Sequence, residues 1–271
     1  MRKIVSITLL ALLAHTIYAQ KKTILLDVSH EIDTAYTYAN PKMFEQYEDM
    51  VENKIGANII VNKDNNLDES LLAETDVLII LSPLKKDRNT PKNNLTHIER
   101  EAIVNYIRNG GKAIIFMDEE HRVDMESFGG NDIVKPFGME YGPDLPMKPD
   151  IGATSLVTEA IKKEYELSYS GSRSLTGGTP LSVRNGDDKP IHGAYVKLEN
   201  GGTIVAFGET MTGLFMGGVE MILPNGMSII WRGKDDKIFM KELIEWLLNI
   251  PLVSTSEQIS WNYKLIFLNH A

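Results

Sequence analysis

Four short apolar runs divide the first half of the chain: Thr23 to Val28 (TILLDV), Ala57 to Asn62 (ANIIVN), Asp76 to Leu81 (DVLIIL) and Lys112 to Met117 (KAIIFM). None alternates between apolar and polar residues, so each reads as a strand covered on both faces. The segments between them carry helical periodicity. Strands that alternate with helices pair in parallel, because the crossover helix returns the chain to the same end of the sheet. The pattern predicts an α/β fold, with a mostly parallel, flavodoxin-like sheet and helices on both faces.

The connecting segments support this reading. Asn40-Pro41 opens a helix whose apolar face is Met43, Tyr47, Met50 and Val51, and Gly56 is placed to stop it. A short helical piece covers Leu67 to Glu74. Thr96 and Glu99 form a capping box, with Ile98, Ala102, Ile103, Tyr106 and Ile107 at helical spacing behind it and Gly110-Gly111 at the end. The second half is less regular. Asn131 to Gly142 predicts a short helix and a turn, Ser155 to Glu166 another helix, and Gly171 to Asp188 a loop. Ala194 to Leu198 and Thr203 to Phe207 flank Glu199-Asn200-Gly201-Gly202, which predicts a β-hairpin. Asp235 or Asp236 caps a last helix with Phe239, Leu243, Trp246, Leu247 and Ile250 on its buried face.

Arg2 and Lys3 precede an apolar run from Ile4 to Leu13, and Ala19 follows. This is the layout of a secretory signal peptide over 1–19, too short for a membrane span of about 20 residues. Ile17 is an imperfect match to the small residue expected there, and the bland reading is a buried N-terminal strand. The expected organisation is the leader, one α/β domain over 20–253, and a tail over 254–271 able to add an edge strand. A periplasmic or secreted protein without membrane insertion follows from that leader.

Of the 271 residues, 28 are Lys or Arg and 37 are Asp or Glu, for a net charge of -9. Loss of Arg2 and Lys3 with the leader would take it to -11. An acidic balance argues against nucleic acid, which needs a basic surface. The 43% hydrophobic content suits a folded domain. With no cysteine, disulfide frameworks, thiolate metal sites, lipoprotein anchors and cysteine nucleophiles are all excluded.

The order of elements resembles the class I glutamine-amidotransferase-like fold, in particular its secreted trehalose-utilisation-like members. The stretches that carry the likeness are Asp76 to Leu81, Arg108-Asn109-Gly110-Gly111-Lys112 and Thr203 to Thr210 (TIVAFGET). It spans Thr23 to Asn249 and rests on structural motifs. Amidotransferases place a cysteine at the elbow after the strand that follows the Gly-Gly turn. Here that segment is Met117-Asp118-Glu119-Glu120, so amidotransfer is not implied. Secreted relatives of this kind accompany polysaccharide-degrading enzymes. A resemblance to the oligosaccharide dehydratases of ulvan breakdown, tied to no sharp motif, implies elimination of water from a terminal uronate.

In open α/β sheets ligands bind beyond the carboxyl ends of the strands. Those ends here are Asp27, Ser29, His30 and Glu31; Ser82, Lys85 and Lys86; Asp118, Glu119, Glu120, His121 and Arg122; and Glu209 and Thr210. His30 and His121 each adjoin a carboxylate, which suits acid–base work. Each residue also has a bland role. Asp27 would cap a turn, the 118–122 charges would be a solvated loop, and Lys85, Lys86 and Arg88 surface charges. Tyr36 and Tyr38 would stack on a sugar or simply pack, and His192 reads as structural. His30-Glu31 lacks the second histidine of a zincin helix, and there is no phosphate loop or G-x-S-x-G elbow. Gly177-Gly178 and Gly217-Gly218 are isolated pairs. Asp27, His30, Asp118 and His121 are of a type that suits divalent ions, but their spacing gives no specific support; no cofactor is expected.

Proton transfer is the chemistry that needs neither thiol nor serine elbow. In elimination across a uronate, His30 would act as base or acid, with Asp118, Glu119 or His121 as its counterpart. Lys85 or Arg122 would neutralise the substrate carboxylate, and Glu209, Tyr36 and Tyr38 would contact the sugar. The net negative charge favours a short acidic oligosaccharide over a long polyanion. The alternatives are a glycan-binding module without turnover and a degenerate scaffold protein.

Overall fold

The structure is a computed structural model that describes residues 21–30, 43–82, 94–120, 122–146, 148, 151–169, 171–214, 219–222, 228–231 and 233–250. The leader, the Asn40-Pro41 helix start, Gly217-Gly218 and the tail over 254–271 lie outside these residues. Thirteen strands are described: β1 (Thr23–Asp27), β2 (Asn58–Asn62), β3 (Val77–Ile80), β4 (Lys112–Phe116), β5 (Glu140–Asp144), β6 (Ala153–Ser155), β7 (Glu166–Leu167), β8 (Arg173–Thr176), β9 (Thr179–Arg184), β10 (Ile191–Lys197), β11 (Thr203–Phe207), β12 (Val219–Ile222) and β13 (Ser228–Trp231). The α-helices are α1 (Met43–Glu48), α2 (Glu69–Ala73), α3 (His97–Arg108), α4 (Met125–Phe128), α5 (Gly130–Val134), α6 (Met211–Leu214) and α7 (Asp236–Leu247).

Nine strands form one sheet in the order β2-β1-β3-β4-β11-β10-β9-β6-β7. The first five neighbours pair in parallel, and 2-1-3-4-11 is the flavodoxin order with β11 in the fifth place. β10 turns the sheet antiparallel through the predicted hairpin, with Gly193 opposite Phe207 and Lys197 opposite Thr203. β9, β6 and β7 extend that antiparallel side. β5 pairs with β8, and β12 with β13, in two smaller sheets.

The four apolar runs became β1 to β4, with every residue of β3 buried. α2, α3, α4 and α5 pack on one another, while α7 packs on α6 and on a π-helical turn, Asp49–Ile55, that continues α1. Gly56, at φ 82°, ends that turn. The capping box is formed: Thr96 N–H and Oγ donate to Glu99 Oε2 at 2.8 and 2.7 Å. Phe116 and Phe207 stack at 4.9 Å between centroids in the centre of the sheet. No helix among the described residues is long and apolar enough to cross a membrane.

Two expectations for the second half are corrected. Ser155 to Glu166 is not a helix but a loop between β6 and β7. Its own side chains take the backbone groups that a helix would use: Thr158 Oγ accepts from the N–H groups of Ala160 and Ile161, and Ser155 Oγ from that of Tyr165. Gly171 to Asp188 is not a loop but contains β8 and β9, joined through Gly177 and Gly178 at φ 81° and 70°. Its few apolar residues hid the strands, because Arg173 and Arg184 are buried at 1% exposure and occupy inward positions. A Cβ on Gly177 would lie 2.0 Å from the Gly138 carbonyl oxygen. Gly177→Ala is therefore expected to lower stability by about 1–3 kcal/mol in urea unfolding, through left-handed strain plus that backbone clash.

Candidate functional site

The tips of β1, β3, β4 and β11 lie side by side, so the β1 and β4 tips are two strand spacings apart, roughly 10 Å. Three polar groups occupy this edge, each built differently.

At the tip of β1, Asp27 is buried. Its Oδ1 accepts from Ser29 Oγ at 2.7 Å and from Asn62 Nδ2 at 2.8 Å, and its Oδ2 lies 2.7 Å from His30 Nδ1. His30 Nε2 lies 3.2 Å from Glu99 Oε1, on the first turn of α3. Burial by itself would lower the His30 pKa. The hydrogen bond and charge of Asp27, with those of Glu99, overcome it and hold His30 above its ordinary 6.5. Both ring nitrogens are thus engaged by carboxylates. Asp27 and His30 are bonded to each other, with Glu99 on the far side of the ring. Among the described residues no cluster of three or more His, Cys, Asp or Glu side chains is arranged to hold a metal.

At the tip of β4, Asp118 and Glu119 are adjacent buried carboxyls. Ser82 Oγ, from the tip of β3, accepts from Asp118 N–H at 3.0 Å, and Thr210 Oγ, beyond β11, donates to Asp118 Oδ2 at 2.9 Å. Arg122 Nε lies 3.1 Å from Glu119 Oε2, and its guanidinium is 4.0 Å from Asp118 Oδ2. Burial, then the charge and hydrogen bond of Glu119, hold the Asp118 carboxyl well above its ordinary range. The Glu119 carboxylate passes over Gly171, where a Cβ would meet Oε1 at 1.8 Å. A larger residue at 171 would make the Glu119 side chain move.

The loop bearing this pair is clamped by Arg173, which sequence reasoning missed. Arg173 Nε donates to the Asp118 carbonyl at 2.6 Å, and Nη2 to the Val123 carbonyl and to Glu120 Oε2, both at 2.5 Å. Asp144, on β5, accepts from Glu120 N–H. No local motif announces such a residue. An arginine flanked by serines inside a Gly-rich stretch looks exposed until β5 and β8 enclose it.

Beyond β11, Glu209 points inward. Its Oε1 is 3.5 Å from His192 Nε2, and His192 Nδ1 is 2.9 Å from Ser182 Oγ. Serine, histidine and glutamate are the residue types of a hydrolytic triad, but all three are at most 1% exposed, so no substrate reaches them. Burial pushes the His192 pKa down to about 3. His192 is structural, as its sequence position suggested.

Of the sequence-derived site residues, the structure brings Asp118, Glu119 and Arg122 together, holds His30 in a separate bonded group on the same edge, and buries Glu209 beside His192. Lys85, Tyr36, Tyr38 and His121 lie outside the described residues. A cleft of about 560 Å³ lies at the opposite edge. It runs between α2 and α3, over the starts of β1, β3 and β4, and its position bears no relation to the carboxyl pair.

No family model and no curated protein matches the chain. Among solved structures, the mmIFT52 N-terminal domain superposes with TM-score 0.57 at 14% identity, covering 86% of this chain and all of that domain. A ThuA-like protein from Bacteroides uniformis gives 0.48 at 13% identity, covering 86% and 94% of the two chains. The exo-β-1,4-mannosidase Op5Man5 from an Opitutaceae bacterium gives 0.45 at 11%, covering 72% of this chain and 32% of that one. The mmIFT52 domain is a likeness of fold, and at such identities it extends to nothing further.

Proposed function

We propose that the chain is a secreted or periplasmic carbohydrate-active enzyme that acts on short uronate-containing oligosaccharides by acid–base elimination. The reading is carried by one observation: two adjacent buried carboxyls beside the Arg122 guanidinium, with Asp118 held well above its ordinary range by burial and by Glu119. A carboxyl raised by its surroundings suits the acid role, so Asp118 would donate to the leaving oxygen. Glu119 would take the proton next to the substrate carboxylate, and Arg122, whose side chain is 31% exposed, would neutralise that carboxylate. His30 is not assigned a proton-transfer role, because its nitrogens are already engaged.

Asp118→Asn keeps the size and the Thr210 contact but cannot give up a proton. Formation of unsaturated uronate, followed by its ultraviolet absorbance on a panel of acidic oligosaccharides, is expected to fall by about 10²–10⁴ in this variant. Its stability at neutral pH should be at least that of the wild type. A carboxyl with a raised pKa supports the fold at low pH and loses that support as pH rises through the folded pKa. Full activity in the variant, or no signal from wild type on any acidic oligosaccharide, would remove the proposal. Binding without turnover would instead favour a glycan-binding module. The specific observation on that side is that the His30, Arg173 and Glu209 groups are all closed on the protein itself.

A further inference from the structure

The Asp27–His30–Glu99 group joins the tip of β1 to the start of α3. Asp27 ends β1, and Asn62, which bonds to it, ends β2. Glu99 belongs to α3. Besides facing His30, its carboxylate accepts from Thr96 N–H and Oγ, and from Leu67 N–H at 3.0 Å in the loop before α2. One imidazole therefore stands between the tip of β1 and a carboxylate that organises both the start of α3 and the 65–68 loop. Asn62 Nδ2 also donates to the Asn65 carbonyl, so the same loop is held from the Asp27 side.

The protonation state follows from geometry. Carboxylates only accept, and they stand 2.7 and 3.2 Å from the two ring nitrogens. Only the imidazolium carries a proton on both. In either neutral tautomer one nitrogen lone pair would face a buried carboxylate oxygen. Among the described residues the charged groups that face the ring are Asp27 from β1 and Glu99 from α3. β2 contributes the Asn62 amide, the 65–68 loop only backbone, and Ser29 Oγ stands 3.0 Å from Nδ1.

We propose that Asp27–His30–Glu99 is a proton-operated latch: protonated, it fastens the β1 tip to the start of α3 and to the 65–68 loop, and on losing the proton it releases them. β1 and β3 flank the point where strand order reverses, which is where ligands sit in this topology, so the latch regulates the mouth of the crevice. It does not depend on any reaction there and would stand if the elimination chemistry failed.

Nitrogen-15 NMR of the full chain tests it across about pH 5 to 9. The His30 ring is expected to carry protons on both nitrogens at neutral pH and to titrate above 6.5. Hydrogen-exchange protection of the Leu67 and Thr96 amides, corrected for intrinsic rates, should fall with the same midpoint. The fall should be about tenfold for each pH unit between the latched and released pKa values. Protection of the β3 amides should stay constant, since only the mouth opens. Glu99→Gln should lower the His30 midpoint and remove the pH dependence at Leu67. A neutral His30 ring at neutral pH, or Leu67 protection that does not follow its titration, overturns the proposal. Because the first readout uses wild type alone, a variant that fails to fold does not shelter it.

Discussion

Replacing Arg173 with methionine is expected to remove about 3–5 kcal/mol of stability, read as a lower midpoint in urea unfolding. The guanidinium is 1% exposed and donates to the carbonyls of Asp118 and Val123, which lose that donor in the variant. Each buried acceptor left without a donor costs roughly 1–3 kcal/mol, and the methionine stem does not replace that. The ion pair to Glu120 is the smaller part. Glu120 is half exposed, so Glu120→Gln should cost less than about 1 kcal/mol. If the two variants lost equal stability, the charge pair and not the carbonyl clamp would be holding the loop. Because that loop carries Asp118, Glu119 and Arg122, Arg173→Met should also disorder the candidate site before the rest of the sheet, seen as early exchange of amides 118–123.

Acid should destabilise the wild type partly through His192. Its folded pKa, about 3, lies below the ordinary 6.5, so it folds neutral and binds its proton more readily when unfolded. That contribution is present in full above 6.5 and is lost as pH falls toward 3. Its size is on the order of 4–5 kcal/mol, since each pH unit is worth about 1.4 kcal/mol. Glu99 acts with the same sign. Burial would raise its pKa, but hydrogen bonds from Thr96 and Leu67 and the charge of His30 lower it further, so it too loses stability on acidification. Asp118 acts with the opposite sign, because its folded pKa is raised. The difference between wild type and His192→Asn isolates the histidine: the variant, less stable at pH 7, should converge on wild type as pH falls toward 3. Parallel stability curves for the two proteins would mean that His192 does not stay neutral in the fold.

Arg173 also shows where sequence reading stopped. β1 to β4, the Thr96–Glu99 box and the hairpin about Asn200 were legible because each depends on neighbours a few residues away. An apolar run, a cap three positions upstream and a Gly-Gly turn carry their own physical reason. Asp118, Glu119 and Arg122 were legible as a group for the same cause, since they lie within five residues of chain at a strand end. The pairing of His30 with Glu99 was not, because 69 residues separate them and Glu99 already had a complete local explanation as a helix cap. Arg173 and Arg184 were read as loop residues because their stretch is rich in Gly, Ser and Asp, and it takes partners 29 to 55 residues away to make Arg173 an interior residue.

By itself, then, the sequence determined a parallel α/β core and the edge on which polar residues collect, since strand burial and chain direction follow from local pattern. Tertiary structure alone decided which of those residues face each other. It set His30 as a bridge between two carboxylates, closed Glu209 against His192, and placed Asp118 and Glu119 side by side with Arg122. Burial and long-range charge set a side chain's chemistry, and neither is a property of the residues next to it in the chain.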